Sequence, residues 1–183
     1  MLQTDLSAYH NFPYHPGGSK FKRIVWFYIN AVLFKTSIIP YSRLKVYLLR
    51  LFGASIGVGV NIKPCVNIKY PWLLHIGDHS WIGENVWIDN LVPVKIGKNV
   101  CISQGALLLT GNHNYKTPSF DLITGEIILE NGVWIGASAI INQGITAASH
   151  SILTVGSIAT ENLDAYFIYQ GNPALKIRSR LII

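Results

Sequence analysis

The sequence predicts a parallel β-solenoid, and three observations carry the prediction: an aliphatic residue every six positions, glycine directly after it at several turns, and one aperiodic interruption. The aliphatic series runs Ile56, Ile62, Ile68, Ile76, Ile82, Ile88, Ile96, Ile102 and Leu108, and resumes at Leu129, Ile135, Ile141, Ala147, Leu153 and Ala159. Thirteen of these fifteen positions are Ile or Leu, so the period is no accident of composition. A period of six matches neither the helical repeat nor strand alternation. It fits coils with three short flat faces of one hexad each, position one pointing into a narrow core.

The other hexad positions agree. Gly57, Gly77, Gly83, Gly97 and Gly136 follow position one, where a side chain would crowd a corner. Position five is small or β-branched, as at Val60, Val66, Ser80, Val86, Val100, Ala106, Val133, Ala139 and Ser157. The first three triplets begin at 56, 76 and 96, so each early coil holds 18 residues plus a two-residue bulge. Residues 114–128 lack the period and carry Pro118 and Gly125. A loop of that length inside a compact repeat is usually functional.

Ahead of the repeat, residues 1–19 read as an irregular arm. Residues 20–35 and 41–52 read as two helices, divided by Pro40 and closed by Gly53. The chain of 183 residues therefore divides into an arm with a helical cap, 1–52, and a repeat domain, 53–183. Charge follows the same division. Lys20, Lys22, Arg23, Lys35, Arg43, Lys45 and Arg50 face only Asp5 in the first part, which holds the whole net charge of +6. The repeat domain is neutral and carries no nucleic-acid-binding motif, so a nucleic-acid role is not expected. Phe21, Trp26, Phe27, Tyr28, Phe34, Tyr41, Tyr47 and Phe52 accompany those basic residues. That mixture suits a cap that also touches an anionic membrane surface through 20–52. The apolar stretch Ile24–Phe34 is too short to span a bilayer, which needs about 20 residues. Met1–Ser19 is polar and Pro-rich, and Cys65 and Cys101 form no CxxC. The expected location is cytoplasmic, at the inner face of the membrane.

The strings KYPWLLHIGDHSWIGENVWIDNL, VKIGKNVCISQGALLLTGNHNY, GVWIGASAIINQG and YQGNPALKIRSR give the chain a resemblance. It resembles the left-handed β-helix hexapeptide-repeat acyltransferases, of the colanic-acid-biosynthesis acetyltransferase type related to maltose, galactoside and nodulation acetyltransferases. The resemblance implies an all-β, left-handed parallel β-helix with an N-terminal helical segment and a protruding loop. It also implies acetyl-CoA as co-substrate without a metal, and O-acetylation of a sugar hydroxyl, small or lipid-linked, in surface polysaccharide synthesis. The expected assembly is a homotrimer with each site between two subunits.

By residue type alone His113 is either a surface histidine or a base; TGNHNY before the loop resembles the family's catalytic histidine, whose near-neutral titration suits a general base. The same motif suggests that Asn112 and Asn114 contact the acceptor, and the resemblance implies the same for Asp89, in WIDNL one coil before His113. Asp89 is otherwise a turn residue. For the coenzyme, the resemblance points to Trp134 beside the acyl group, Ala137 and Val155 along the pantetheine arm, and Lys176, Arg178 and Arg180 at the 3′-phosphate. Two departures stand out. GENVW replaces the Asn-Phe-Asn turn of the galactoside and maltose enzymes, and Glu161 replaces a Lys common in relatives. Cys101 falls on a different face from His113 and lacks a base for nucleophilic work. Two competing functions are a carbonic-anhydrase-like metalloenzyme using His75, His79 and His113, and a non-catalytic scaffold. Outward position-six residues Trp81, Trp87, Leu107, Trp134, Ile140, Ile152 and Ile158 would leave an apolar surface for a trimer to bury.

Overall fold

The computed structural model describes residues 2–183 and shows a solenoid of three stacked parallel sheets. The first face holds Ser55–Ile56, Leu74–Ile76, Val94–Ile96, Ile127–Leu129 and Thr146–Ala147. The second holds Asn61–Ile62, Trp81–Ile82, Cys101–Ile102, Trp134–Ile135 and Ile152–Leu153, and is closed by the hairpin Phe167–Gly171/Ala174–Ser179. The third holds Asn67–Ile68, Trp87–Asp89, Leu107–Leu109, Ile140–Ile141 and Ile158–Ala159.

Register follows the hexads. Ile62 pairs with Ile82, Ile82 with Ile102, Ile102 with Ile135 and Ile135 with Leu153. Every position-one residue from Ile56 to Ala159 is buried, in one such column per face, so like side chains stack on like at the strand spacing of ~4.8 Å. Coils this close leave no room at position two: a Cβ on Gly77 would lie 2.6 Å from the carbonyl carbon of Gly97. Position four makes the corner, and it takes the left-handed conformation, as at Asn85 (φ 57°), Asn99 (φ 54°) and Gly105 (φ 69°). His79 (φ 57°) and His150 (φ 60°) occupy the same corner, which accounts for two histidines as turn residues.

An open first coil would present unpaired backbone groups along three strand edges. The helical segment covers them. Helix α1 (Lys20–Ile29) runs on into a π-helical turn, Asn30–Phe34, and helix α2 (Ser42–Leu51) follows after Pro40. Trp26 donates its indole N–H to the Ile68 carbonyl (2.9 Å), and the Asn30 amide oxygen accepts from the Ile68 N–H (3.3 Å). Ser42 Oγ accepts from the Ile62 N–H (2.8 Å), and Lys45 Nζ donates to the Lys63 carbonyl (2.8 Å). Arg50 donates to the carbonyls of Ile56 and Gly57. Each strand of the first coil thus receives side-chain partners, and Trp26, Phe34 and Leu49 seal the core end. Burial pushes the Lys45 ammonium below the usual lysine range.

Two details differ from the sequence reading. The excursion from the repeat is an antiparallel hairpin, Gly111–His113 against Leu122–Thr124, and Ile127 and Leu129 are already buried in the first face. The period returns early because the Gly125 N–H bonds the Thr110 carbonyl (3.0 Å) and closes the coil beneath the hairpin. Ile152 is 8% exposed and offers no outward apolar surface; it is flanked by Trp134 and Ile168 in adjacent strands.

Candidate active site

His113 lies on the hairpin, opposite Leu122. Its position follows from the turn beneath. Thr110 is fully buried and its hydroxyl bridges two coils, donating to the Asp89 carbonyl (2.8 Å) and accepting from the Leu91 N–H (2.8 Å). The next residue, Gly111, turns the chain outward; a Cβ there would meet the Leu91 side chain. His113 follows two residues on, half-buried.

The hairpin tip fixes the imidazole. His113 Nδ1 lies 2.9 Å from the Phe120 carbonyl oxygen, which accepts only, so Nδ1 carries the hydrogen and Nε2 is the free acceptor. The Phe120 ring lies parallel to the imidazole, with centroids 4.5 Å apart and planes 7° apart. Phe120 adopts φ 53°, a left-handed conformation rare for an aromatic residue, worth about 1–3 kcal/mol of local strain. One residue therefore supplies both the carbonyl and the stacking ring.

The N-terminal arm completes the surroundings. The Tyr9 ring stands 5.8 Å from the imidazole. The Asp5 N–H bonds the Pro118 carbonyl (2.8 Å), and the His10 N–H bonds Asp121 Oδ1 (3.2 Å). A hydrogen bond from Ser119 holds the Asp121 carboxyl below its usual range. Further along, the Trp72 indole donates to the Pro16 carbonyl (2.8 Å). The arm is thus pinned at both ends, to the hairpin and to the end of the first coil.

The other expected residues fall into three groups. Asn112 is exposed, and its side-chain oxygen accepts from the His113 N–H (2.8 Å). Asn114 is occupied by the hairpin turn, accepting from the Lys116 N–H (3.2 Å). Asp89 sits on the third face one coil below, paired with Lys69 at 2.9 Å.

Trp134 stands on the second face, 43% exposed, its indole donating to Ser103 Oγ (2.9 Å). Ala137 and Val155 stack at the following corner, where the Gly156 N–H bonds the Ala137 carbonyl (2.9 Å). These three lie on a different side of the solenoid from the His113 hairpin, so one chain alone does not bring them together.

In the closing hairpin, Lys176 pairs with Asp164 (2.8 Å) and covers the Phe167 ring. Arg180 donates to the carbonyls of Gly132 (2.9 Å) and His150 (3.1 Å). The Arg178 guanidinium alone of the three has neither a hydrogen bond nor an ion pair among the described residues. Cys101 is on the second face with Trp134, and burial raises its thiol above the usual range. No group of three or more His, Cys, Asp or Glu converges among the described residues.

A solenoid of six-residue repeats with a histidine-bearing hairpin at one corner defines a hexapeptide-repeat acyltransferase architecture. Similarity to known proteins is specific. No family model matches the chain. It is 34% identical over 165 residues to Escherichia coli K12 WcaF, whose name assigns it to colanic acid biosynthesis as an acetyltransferase, covering 90% of this chain and 91% of that one. It is 30% identical to the galactoside O-acetyltransferase of the same organism, over 72% of this chain and 66% of the relative. A hexapeptide-repeat acetyltransferase from Vibrio cholerae, solved with acetyl-CoA, superposes with a TM-score of 0.78 at 22% identity, covering 89% of each chain. The chain belongs to the hexapeptide-repeat acetyltransferase family that includes WcaF.

Proposed function

We propose that this protein moves the acetyl group of acetyl-CoA to a sugar hydroxyl during surface-polysaccharide synthesis, with His113 as general base. The observation that carries the reading is the fixed tautomer of His113. Its Nδ1–H is held by the Phe120 carbonyl, so Nε2 is free to take a proton. In the step proposed, Nε2 takes the acceptor hydroxyl proton while the oxygen bonds to the thioester carbonyl carbon. The tetrahedral adduct collapses with cleavage of the C–S bond, and the imidazolium returns its proton to the departing sulfur. The Phe120 carbonyl stabilises the imidazolium through Nδ1–H, as a third group does in other triads. Relatives named for colanic acid biosynthesis and for galactoside O-acetylation support a sugar acceptor.

His113→Ala tests this directly: turnover of acetyl-CoA with a sugar acceptor is expected to fall about a hundredfold or more, with cooperative unfolding retained. Near-normal turnover would remove His113 from the mechanism.

Two further readings accompany it. A homotrimer would bring the second-face residues Trp134, Ala137 and Val155 of one subunit toward the hairpin of another, which one chain does not do. Trp81 (58% exposed) and Trp134 would be buried in such an assembly. The helical cap is also suited to an anionic membrane surface. Phe21, Ile24, Phe27 and Tyr28 are exposed on α1, and Tyr47 and Leu51 on α2. Lys45 and Arg50 are occupied with the first coil, which leaves Lys20, Lys22, Arg23, Lys35 and Arg43 for lipid headgroups. No helix is long and apolar enough to cross a membrane among the described residues.

A further inference from the structure

A cavity of about 550 Å³ opens between α1 and the third face of the first two coils. Its walls are aromatic: Trp26 and Phe27 from the helix, and Trp87 from the solenoid. Its charged groups are three cations, Arg23, Lys35 and Lys69, with the single carboxylate Asp89. Asp89 and Lys69 neutralise each other at 2.9 Å. Arg23 and Lys35 have no ion-pair or hydrogen-bonded side-chain partner among the described residues. Lys35 is exposed at the cavity edge and Arg23 is half-buried, so both charges stand where an anion could reach them. Phe27 and Tyr28 line the cavity and are also 65% and 64% exposed, so its apolar wall continues onto the outer face of the cap.

Two cations without protein partners beside an aromatic wall complement a phosphate on an apolar chain. Arg and Lys bind phosphate oxygens by charge-assisted bonds. The aromatic wall and the exposed rings beside it would take the chain out of water. The cavity lies one coil from the strand that leads to the reaction site. Asp89, on its floor, is paired in register with Leu109, the strand end that leads to the His113 hairpin. The N-terminal arm spans the same ground, with Tyr9 against His113 and the buried Tyr14 hydroxyl beside Tyr70, Asp89 and Arg23.

We propose that this cavity binds the phosphate and first apolar segment of a lipid-phosphate-linked acceptor, so that the sugar extends from Arg23 and Lys35 toward His113. The inference rests on the acetyl-transfer reading for what the ligand carries, while binding is measured without turnover.

The test is calorimetric titration of the full chain with farnesyl diphosphate, farnesol and inorganic diphosphate. Farnesyl diphosphate should bind at least about tenfold more tightly than either part alone, the scale of a single charge-assisted hydrogen bond. Arg23→Gln with Lys35→Gln should weaken it about tenfold or more. Lys35→Gln alone, at an exposed side chain, should weaken it in the same direction and guards against misfolding of the double variant. Equal affinity for inorganic diphosphate or for farnesol would overturn the proposal, as would farnesyl diphosphate binding unchanged in both variants. If farnesyl diphosphate fails to bind while His113→Ala still abolishes acetyl transfer, the cavity assignment falls and the reaction assignment stands.

Discussion

Replacing Gly77 by alanine isolates what the close stacking of coils is worth. Gly77 has no positive φ, so the substitution costs nothing in backbone conformation; the obstacle is the next coil. The new Cβ would lie 2.6 Å from the Gly97 carbonyl carbon and 2.8 Å from both Gly97 O and Lys98 N, all backbone atoms that no rotamer can move. Relief to an ordinary contact requires the coils to separate locally by about 0.8 Å. The Gly77 N–H to Ile96 carbonyl bond, 2.8 Å long, would then stretch to roughly 3.6 Å, beyond a hydrogen bond. Two such ladder bonds at about 1 kcal/mol each, with the dispersion lost between Ile76 and Ile96, give about 3–4 kcal/mol.

Gly144→Ala is the matched comparison. It has φ +76° but nothing within 4 Å of the added Cβ, so only the left-handed conformation counts, about 1–2 kcal/mol. Thermal unfolding followed by circular dichroism, at one fixed protomer concentration, should separate them. A chain of this size shifts by about 2–4 °C per kcal/mol, so Gly77→Ala should lose roughly 6–16 °C and Gly144→Ala roughly 2–8 °C. A loss at Gly77 no larger than that at Gly144 would refute the steric account of position two.

Multi-angle light scattering at micromolar concentration should give about three times the 20.3 kDa chain mass; a monomer would sink the shared-site reading. Co-sedimentation with vesicles should require anionic lipid and fade with salt, and equal recovery in the supernatant with neutral and anionic vesicles would leave the cap a structural element only. Lys45 sets a pH dependence. Its folded pKa is lowered by burial, so between that value and 10.5 the unfolded chain binds more protons, and stability attributable to this group rises with pH across that window. Lys45→Met should flatten that rise in denaturant titrations run at successive pH values; an unchanged slope would show that Lys45 is not desolvated in the fold.

The hexad period determined much of this protein without any structure. A six-residue repeat can bury its position-one residues only by stacking coils, so fold, register and core column follow from Ile56 through Ala159. The division between a basic, aromatic cap and a neutral repeat was equally legible. The structure adds the corner at position four, where Asn85, Asn99 and Gly105 tolerate a left-handed turn. His79 shares that corner, a placement its residue type did not announce.

The tertiary structure alone decided what surrounds His113. Residues 114–128 show no period because they mostly form a hairpin that packs on itself and on the arm, and contacts of that kind leave no periodic trace. Phe120 looked like any loop aromatic, yet its left-handed backbone turns its carbonyl to Nδ1 and its ring to the imidazole face. Tyr9 lies more than a hundred residues away in sequence, and only chain closure brings it to the site. The basic tail shows the same limit from the other side. Lys176, Arg178 and Arg180 look equivalent in sequence, but Asp164 takes the first and two backbone carbonyls take the third, because a charge acts on whatever the fold places within reach of it.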